Sequence, residues 1–260
     1  MLTVAGSDPS GGAGIQADLK TFHAFGCYGE AVIAALTAQN TRGVTGVHAV
    51  PAAFVVKQIE AVLDDIPPDA TKTGMLANRR IVESVAAVLR ERRVPNLVVD
   101  PVMVSTSGHR LLDRAAERAV RERLIPLAAV VTPNGPEAEV LTGIRVRDVE
   151  SAVAAGRALV AAGARAALVK DGHGGGPRVR DVLVTADGGW HSWNRRRLRT
   201  RSTHGTGCTL SAALAAGLAR GRTPLAAARA AVDFVHRAIA RAPGLGRGNG
   251  PVDHLVPVRP

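Results

Sequence analysis

Residues 2–25 read LTVAGSDPSGGAGIQADLKTFHAF. The apolar segment 2–5 predicts a short buried strand, and the glycine-rich segment 6–14 predicts a turn-rich loop. Apolar residues then recur at helical spacing over 15–25. This succession of strand, glycine loop and helix predicts an α/β fold, in which ligands bind at the carboxyl end of a parallel strand.

The glycine loop does not match the common nucleotide-binding signatures. No Gly-Lys-Ser/Thr follows it, so it is not a P-loop, and its glycine spacing differs from the dinucleotide fingerprint. Asp18 lies in the first turns of the following helix. Its carboxylate could either stabilise the helix end or contact a ligand.

The same alternation continues along the chain. Further strands are predicted at 31–37, 46–50, 70–75, 96–100, 129–132 and 166–170, and further helices at 51–64, 78–92, 115–124, 137–143, 149–162 and 224–241. Two short segments, 179–185 and 190–193, are joined through Asp187-Gly188-Gly189 and predict a β-hairpin. We therefore expect a mostly parallel sheet with helices on both faces, in one domain over residues 1–260.

A second glycine motif, Thr203-His204-Gly205-Thr206-Gly207-Cys208-Thr209, precedes the apolar run 210–219. Glycines permit a tight turn, and the Ala/Leu-rich run predicts a helix. The start of a helix offers unpaired N–H groups and a positive dipole end, which together favour phosphate. The plainer alternative is a loop that only caps the helix. Cys208 favours the functional interpretation, since a thiol there would have a lowered pKa and could exchange a proton during catalysis.

Polar side chains follow several predicted strands. Asp100 ends a buried strand, where a carboxylate needs a partner or a metal ion. Glu137 is either a helix-dipole partner or, with Asp100, a carboxylate associated with Mg²⁺. The point charge of Lys170 suits a nucleotide phosphate. The amide of Gln39 could recognise a heteroaromatic edge, or it could be an ordinary turn residue.

The formal net charge of +11 raises nucleic acid as a partner. Most of the arginines are scattered over predicted helices, and Tyr28 is the single tyrosine available for base stacking. We therefore expect no specific nucleic-acid binding. The dense run 195–201 is favoured as an edge strand blunted by charge, with a basic flank that attracts nucleotide phosphates as the alternative.

Two further patterns bear on the compartment. The chain has no apolar segment long enough to cross a bilayer and no export signal, so we expect a cytoplasmic protein without a membrane partner. Cys27 and Cys208 are far apart and lack metal-ligand spacing, which argues against a disulfide framework and against a zinc site.

Several sequence blocks together resemble one family. They are Ala5–Lys20, Thr37–Thr41, Gly74–Leu76, Val99–Met103, Thr132–Asn134, Pro136–Glu139, Val169–Lys170 and Thr203–Thr209. With these blocks the chain resembles, nearly from end to end, the hydroxymethylpyrimidine and phosphomethylpyrimidine kinases of thiamine biosynthesis, a branch of the ribokinase-like superfamily. The first and last blocks are the most specific.

The resemblance implies a three-layer α/β/α sandwich that uses ATP and Mg²⁺ to phosphorylate 4-amino-5-hydroxymethyl-2-methylpyrimidine and then its monophosphate. It also implies a homodimer. It assigns Gly205, Thr206, Gly207 and Cys208 to the transferring phosphoryl group, Gly6, Ala13, Asp18, Gln39, Met75 and Val102 to the pyrimidine pocket, Lys170 and Asn134 to the nucleotide, and Asp100 and Glu137 to Mg²⁺. Cys208 stands where most ribokinase relatives have an aspartate base.

Some positions depart from the family pattern, namely Thr73, Gly135, Asp171, Thr106 and His109. The carboxylate of Asp171 could pair with the neighbouring lysine and weaken ATP binding, or it could point to solvent. Thr106 and His109 follow the Asp100 strand and bear on how the monophosphate is handled.

Three alternatives stay open at this point. A pyridoxal kinase is the runner-up, since that ring also carries a hydroxymethyl group. A second alternative is a chain that carries out only the first phosphorylation. A third, from another class, is a protein without catalytic activity that binds a small molecule or a nucleic acid.

Overall fold

The computed structural model describes residues 1–104, 108, 112, 114–171 and 176–258. Its strands are β1 (Leu2–Ser7), β2 (Glu30–Asn40), β3 (Gly43–Ala49), β4 (Thr71–Thr73), β5 (Leu97–Val99), β6 (Val130–Val131), β7 (Ala166–Val169), β8 (Arg178–Thr185) and β9 (Trp190–Arg196). Its helices are α1 (Gly14–Ala24), α2 (Ala52–Asp65), α3 (Arg79–Glu91), α4 (Arg114–Ala119), α5 (Gly135–Thr142), α6 (Val149–Ala161), α7 (Thr206–Ala219) and α8 (Pro224–Ala240). Residues 105–107, 109–111 and 113 lie outside the described residues, and with them Thr106 and His109, as do 172–175 and 259–260.

The strands form one sheet in the order β3-β2-β1-β4-β5-β6-β7-β8-β9. Neighbours from β2 to β7 run parallel, with Val4 of β1 opposite Val32 on one side and Thr73 on the other. The β8–β9 hairpin adds two antiparallel strands at one end. The predicted sheet and hairpin are therefore confirmed.

Apolar clusters lie on both faces of the sheet. Helices α2, α3 and α4 pack on one face through residues such as Ile59, Val85 and Ala116. Helices α7 and α8 cover the other face, where Phe22 of α1 and Phe234 of α8 are fully buried. This arrangement is the three-layer sandwich that the resemblance implied.

Three predicted elements differ in detail. The apolar run of β2 is extended to Asn40, because its last residues pair with β3 in an antiparallel hairpin that starts at Gly43. Pro51 is the N-cap of α2, one position before the expected one. The helix predicted over 115–124 is α-helical to Ala119 and then changes to a π turn and a 3₁₀ turn ending near Pro126, which has no N–H to continue an α-helix.

The segment 244–254 after α8, here called the strap, crosses from one loop to another. The Asn249 N–H donates to the Thr41 carbonyl at the tip of the β2–β3 hairpin (2.7 Å), and the His204 N–H donates to the Gly250 carbonyl before α7 (3.0 Å). His254 is buried, with Nε2 3.0 Å from Thr209 Oγ1 of α7. The strap thus connects the β2–β3 hairpin to the start of α7.

Across the part of the chain that the structure describes, no helix combines the length and the apolar character needed to span a membrane.

Candidate active site

The carboxyl ends of the parallel strands meet at one edge of the sheet, where they open onto a cleft of about 280 Å³. The predicted site residues that line it are Gly6, Ala13, Gln39, Met75, Asp100, Val102, Asn134, Glu137, Lys170, Gly205, Thr206, Gly207 and Cys208. Asp18 is the exception. A doubly wound sheet produces this convergence, because parallel strands bring their following loops to the same edge.

The two glycine loops are in direct contact beside the cleft. Asp8 Oδ2 accepts from the Ala13 N–H (2.8 Å) and lies 2.7 Å from His204 Nε2. Gly205 has φ +76°, and a Cβ on it would lie 1.8 Å from the Gly12 carbonyl oxygen. A side chain at position 205 therefore cannot be accommodated without separating the loops.

The first turn of α7 faces the cleft. Gly205 is the N-cap, and no side chain caps the helix start, so its first N–H groups keep hydrogen-bonding capacity for a ligand. A Cβ on Gly207 would lie 3.3 Å from Lys170 Nζ and 3.9 Å from Asp100 Oδ2. The helix dipole and this nearby cation together make the end of the cleft an anion site.

Asp100 and Lys170 form a buried ion pair, with Nζ 2.9 Å from Oδ1. Asp100 also accepts from the hydroxyls of Thr132 (3.1 Å) and Ser211 (3.2 Å). Burial works to raise the pKa of Asp100, but the charges of Lys170 and then Lys72 outweigh it and hold that pKa below its ordinary value. The sequence-based concern that Asp171 would pair with Lys170 is not supported.

Asp171 instead accepts from the Arg180 N–H of β8 (3.1 Å) through Oδ2. The side chain is thereby directed toward the hairpin, while the ammonium of Lys170 is bound to Asp100 on the cleft side.

Asn134 and Glu137 form a capping box at the start of α5. Asn134 Oδ1 accepts from the Glu137 N–H (2.9 Å), and Glu137 Oε2 accepts from the Asn134 N–H (2.8 Å). Burial raises the pKa of Glu137 to about 7. Both side chains line the cleft, so this end of α5 combines a structural cap with exposure to a ligand.

Asp18 lies beneath the cleft rather than in it. Both of its carboxylate oxygens accept from Lys72 Nζ (3.0 and 2.9 Å), and Oδ2 also accepts from the Thr3 hydroxyl (2.6 Å). The side chains of Asp18 and Lys72 are 0% exposed. The structure therefore does not support Asp18 as a direct substrate contact, since helix α1 turns it toward the sheet.

Lys72 carries no role in the sequence-based predictions, yet it lines the cleft. Desolvation disfavours its charged form, but the charges of carboxylates, first Asp18 and then Asp100, outweigh that effect and raise its pKa. One signal was present in the sequence, namely a lysine in the middle of a strand whose residues are all buried. A buried ammonium needs a partner, and only the fold identifies Asp18 as that partner.

Cys208 is partly exposed in the cleft. Desolvation raises the pKa of its thiol to about 11, against the lowering effect of Lys72. The sequence-based expectation of a lowered pKa is thus wrong. Asp18 and Asp100 add negative charge on the same side and partly cancel the lysines.

Gln39 lies at the opposite side of the cleft, at the end of β2. Its Oε1 accepts from the Thr37 hydroxyl (3.2 Å), and its Nε2 is 3.4 Å from His204 Nε2. The hydroxyl of Thr37 also donates to the Ser7 carbonyl (2.9 Å). These contacts hold a partly exposed amide at the cleft wall.

The arginine run 195–201 contributes both to the predicted edge strand and to the alternative, a basic flank beside the cleft. Arg195 and Arg196 belong to the edge strand β9, as favoured from the sequence. They also line the cleft, together with Arg197 and the apolar side chains of Val232 and Val235 from α8. The basic flank therefore exists as well, at the end of the cleft away from Gln39.

Comparison with known proteins agrees with this geometry. A family model described as phosphomethylpyrimidine kinase matches residues 8–253. The chain belongs to the phosphomethylpyrimidine kinase family. Its sequence-based identification and its expected ribokinase-like fold are both confirmed, and so is the expectation of a phosphotransferase family.

Relatives within the family cover almost the whole chain. A hydroxymethylpyrimidine/phosphomethylpyrimidine kinase of Streptomyces coelicolor is 50% identical over 98% of this chain and 93% of its own length. A thiamine biosynthesis bifunctional protein of Geobacter sulfurreducens is also 50% identical over 98% of this chain, which spans 52% of that longer protein.

Solved structures give the same fold. A phosphomethylpyrimidine kinase of Clostridium difficile has a TM-score of 0.81 and 43% identity, covering 92% of this chain and 98% of that one. An ADP complex of Bacillus subtilis pyridoxal kinase has a TM-score of 0.90 and 36% identity, covering 97% of this chain and 96% of that one.

The carboxylates of the cleft fit the divalent cation that a kinase family implies. Asp100 and Glu137 offer oxygen ligands, and the pKa of Glu137 is raised by burial and by the charge of Asp100, so an added cation would favour its ionised form. Among the described residues no three His, Cys, Asp or Glu side chains form a metal-binding group. Magnesium in kinases is commonly held by one or two carboxylates, by water and by substrate phosphates.

Proposed function

We propose that this protein phosphorylates 4-amino-5-hydroxymethyl-2-methylpyrimidine with ATP, and then phosphorylates the monophosphate to the diphosphate used in thiamine biosynthesis. The main support is that one cleft contains an amide at one wall, Gln39, and an anion site at its end, the first turn of α7. Relatives at 40–50% identity bear the corresponding kinase name.

In the proposed reaction the hydroxymethyl oxygen forms a bond to the γ-phosphorus of ATP while the bridging bond to ADP breaks. The N–H groups at the start of α7 and the Lys170 ammonium would neutralise the transferring phosphoryl group. Asn134 would face the nucleotide. Phosphoryl transfer depends mainly on positioning and charge neutralisation, both of which these groups can supply.

Asp100 and Glu137 would hold Mg²⁺, directly or through water. The ion supplies positive charge to the phosphates when it is bound. The carboxylates would place that charge beside the α7 turn, on the same side as Lys170.

The pyrimidine ring would occupy the wall formed by Gly6, Ala13, Gln39, Met75 and Val102. A Cβ on Gly6 would lie 3.0 Å from the Met75 sulfur, so the glycine allows the ring and the thioether to share this space. The amide of Gln39 offers both a donor and an acceptor to the ring edge.

The alcohol must lose its hydroxyl proton as its oxygen bonds to the γ-phosphorus, and the ionised sulfur of Cys208 would accept that proton. A thiol with a pKa of about 11 is rarely ionised at neutral pH, so its strength as a base contributes little before the substrate binds. We retain Cys208 as a proposed catalytic residue because it lies in the first turn of α7, where the anion site would hold the transferring phosphoryl group.

A side-by-side kinase assay tests the proposal. The purified protein, with ATP and Mg²⁺, is offered the pyrimidine alcohol, its monophosphate and pyridoxal, and ADP formation is measured. We expect turnover of the first two. Efficient turnover of pyridoxal without turnover of the pyrimidine alcohol would contradict the substrate assignment.

Pyridoxal kinase is the second candidate, favoured by one observation. The Bacillus subtilis pyridoxal kinase structure matches this fold with a TM-score of 0.90. Its 36% identity is below the 50% found with the Streptomyces coelicolor pyrimidine kinase, which is why the pyrimidine is preferred. The homodimer and the single domain over 1–260 stay predictions.

A further inference from the structure

The end of the cleft beside the first turn of α7, here called the transfer point, contains two lysines. Each lysine forms an ion pair with one carboxylate. Lys72 is bound to both oxygens of Asp18, and Lys170 is bound to Asp100 at 2.9 Å. All four side chains are nearly or fully buried. The formal charge of these two pairs is therefore zero, and they are held in place by short contacts.

Cys208 lies in the same region, since it lines the cleft together with both lysines, and a Cβ on the preceding residue, Gly207, would lie 3.3 Å from Lys170 Nζ. It is partly exposed to the cleft and begins the helix whose dipole is positive at this end. A neutral side chain at position 208 adds no formal charge to the two balanced pairs. An ionised carboxylate there would add one negative charge beside them.

This difference matters for the second of the two proposed steps. In the first step the acceptor is a neutral alcohol, whereas in the second it is a phosphate ester that already carries negative charge. That acceptor must approach the γ-phosphate of ATP, which is itself an anion. A further negative charge nearby would repel it in a region where water screens poorly.

The phosphate ester also has no need of a base. One of its ionised oxygens forms the new bond to the γ-phosphorus while the bridging bond to ADP breaks, and no proton has to leave. A base is useful only for the alcohol. The alcohol therefore favours a base at position 208, whereas the phosphate ester favours an uncharged side chain there.

We propose that the uncharged thiol of Cys208, which lines the same cleft as Lys72, Lys170 and Asp100, is a specificity-determining group that allows the site to accept a phosphorylated acceptor. This inference rests on the proposed two-step function. It assigns Lys72, which lines the cleft, and its buried partner Asp18 as positioning residues that keep the charge on this side of the cleft balanced. Burial raises the pKa of the thiol, in agreement with an uncharged group.

The test compares Cys208→Asp with Cys208→Ser. Serine is the matched neutral variant, and aspartate adds the charge at similar size. Equilibrium binding of the pyrimidine alcohol and of its monophosphate is measured by calorimetry without ATP or Mg²⁺, and kcat/KM for both acceptors is measured with them. Binding of the alcohol by Cys208→Asp reports whether the pocket is intact.

We expect Cys208→Asp to weaken monophosphate binding by about tenfold or more relative to the alcohol, and to lower the kcat/KM ratio of monophosphate to alcohol at least as much. Cys208→Ser should keep the ratio of the two binding affinities near that of the original protein, since it adds no charge. Equal effects of Cys208→Asp on both acceptors would overturn the inference.

Two other results are informative. If Cys208→Asp binds neither acceptor, Cys208→Asn replaces it as the shape control, and loss of the monophosphate preference in that uncharged variant contradicts the inference. If the original protein phosphorylates the alcohol but not the monophosphate, the inference fails while kinase activity stands. If it phosphorylates neither, the proposed function fails first.

Discussion

At the scale of single residues, the site depends on ionised groups that are removed from water. A buried ion pair gains little stability by itself, because desolvation offsets the attraction, but removing one partner leaves an uncompensated charge. The Lys72–Asp18 pair is of this kind, with both side chains 0% exposed. Its presence beside the cleft is better explained by the Lys72 ammonium that it holds in place there than by stability.

Lys72→Met should lower the free energy of unfolding by about 3–5 kcal/mol, because Asp18 is then buried without its cation. The double variant Lys72→Met with Asp18→Asn should recover much of that loss. Urea denaturation measures both. Arg79→Met, which breaks the exposed pair with Glu83, is the control and should change stability little. A harmless Lys72→Met would mean that Asp18 is not ionised in the folded protein.

At the scale of elements, the start of α7 depends on backbone conformation. Gly205 is in the left-handed region and in contact with the Gly12 carbonyl, so two separate effects exclude a side chain there. Gly221, after the same helix, has φ +75° and nothing within 4 Å of an added Cβ. A substitution at Gly221 therefore tests conformational strain alone, whereas a substitution at Gly205 tests strain together with steric overlap.

Gly221→Ala should cost roughly 1–2 kcal/mol of stability, the usual penalty for a left-handed non-glycine residue, with nucleotide affinity unchanged. Gly205→Ala should cost more and should weaken ATP binding by at least about tenfold, since the loops must separate and the α7 turn moves. Thermal unfolding and nucleotide titration measure the two effects. Equal changes in stability and in nucleotide affinity for the two variants would show that the contact between Gly205 and Gly12 affects neither property.

Elements with a strong period could be predicted from the sequence, and partnerships between elements could not. The helices α3 and α8 and the strand β1 lie close to their predicted bounds, because apolar spacing and caps are local signals. The β2–β3 hairpin was missed as a pair, since the register depends on both strands. Its turn lacks the dipeptides that mark a tight hairpin.

The same distinction applies to the site. Strand-end residues such as Asp100 and Lys170 could be proposed from their positions alone, and they line the cleft. The partner of each charge depends on long-range contacts, 54 residues apart for Lys72 and Asp18. The pKa of Cys208 was misjudged for this reason, because helix position is local whereas desolvation by the surrounding layers is not.

At the scale of the whole molecule, the strap joins the end of the chain to the cleft. His254 is buried against α7, and burial lowers its pKa from its ordinary value of 6.5 to about 4. It is therefore neutral in the folded protein. Its contribution to stability is complete above the unfolded pKa and is lost as the pH falls from about 6.5 toward 4.

His254→Gln should reduce the acid sensitivity of the fold. Between about pH 7.5 and about pH 5 the original protein should lose roughly 2 kcal/mol more stability than the variant, since each unit of separation from the unfolded pKa contributes about 1.4 kcal/mol. Chemical denaturation at both pH values provides the comparison. Equal losses of stability in the original protein and in His254→Gln would exclude His254 as an acid-sensitive group.

The strap also sets the order in which the cleft can be completed during synthesis. The Gly248 N–H donates to the Thr41 hydroxyl across 207 residues of sequence. A ribosome must therefore synthesise nearly all the described chain before the strap can form its hydrogen bonds to the β2–β3 hairpin, which carries Gln39, and to the α7 loop. Until then a nascent chain can form much of its sheet, but the strap does not yet link the Gln39 wall to the α7 loop. Catalytic competence would thus arrive late in translation, after most of the core is already in place.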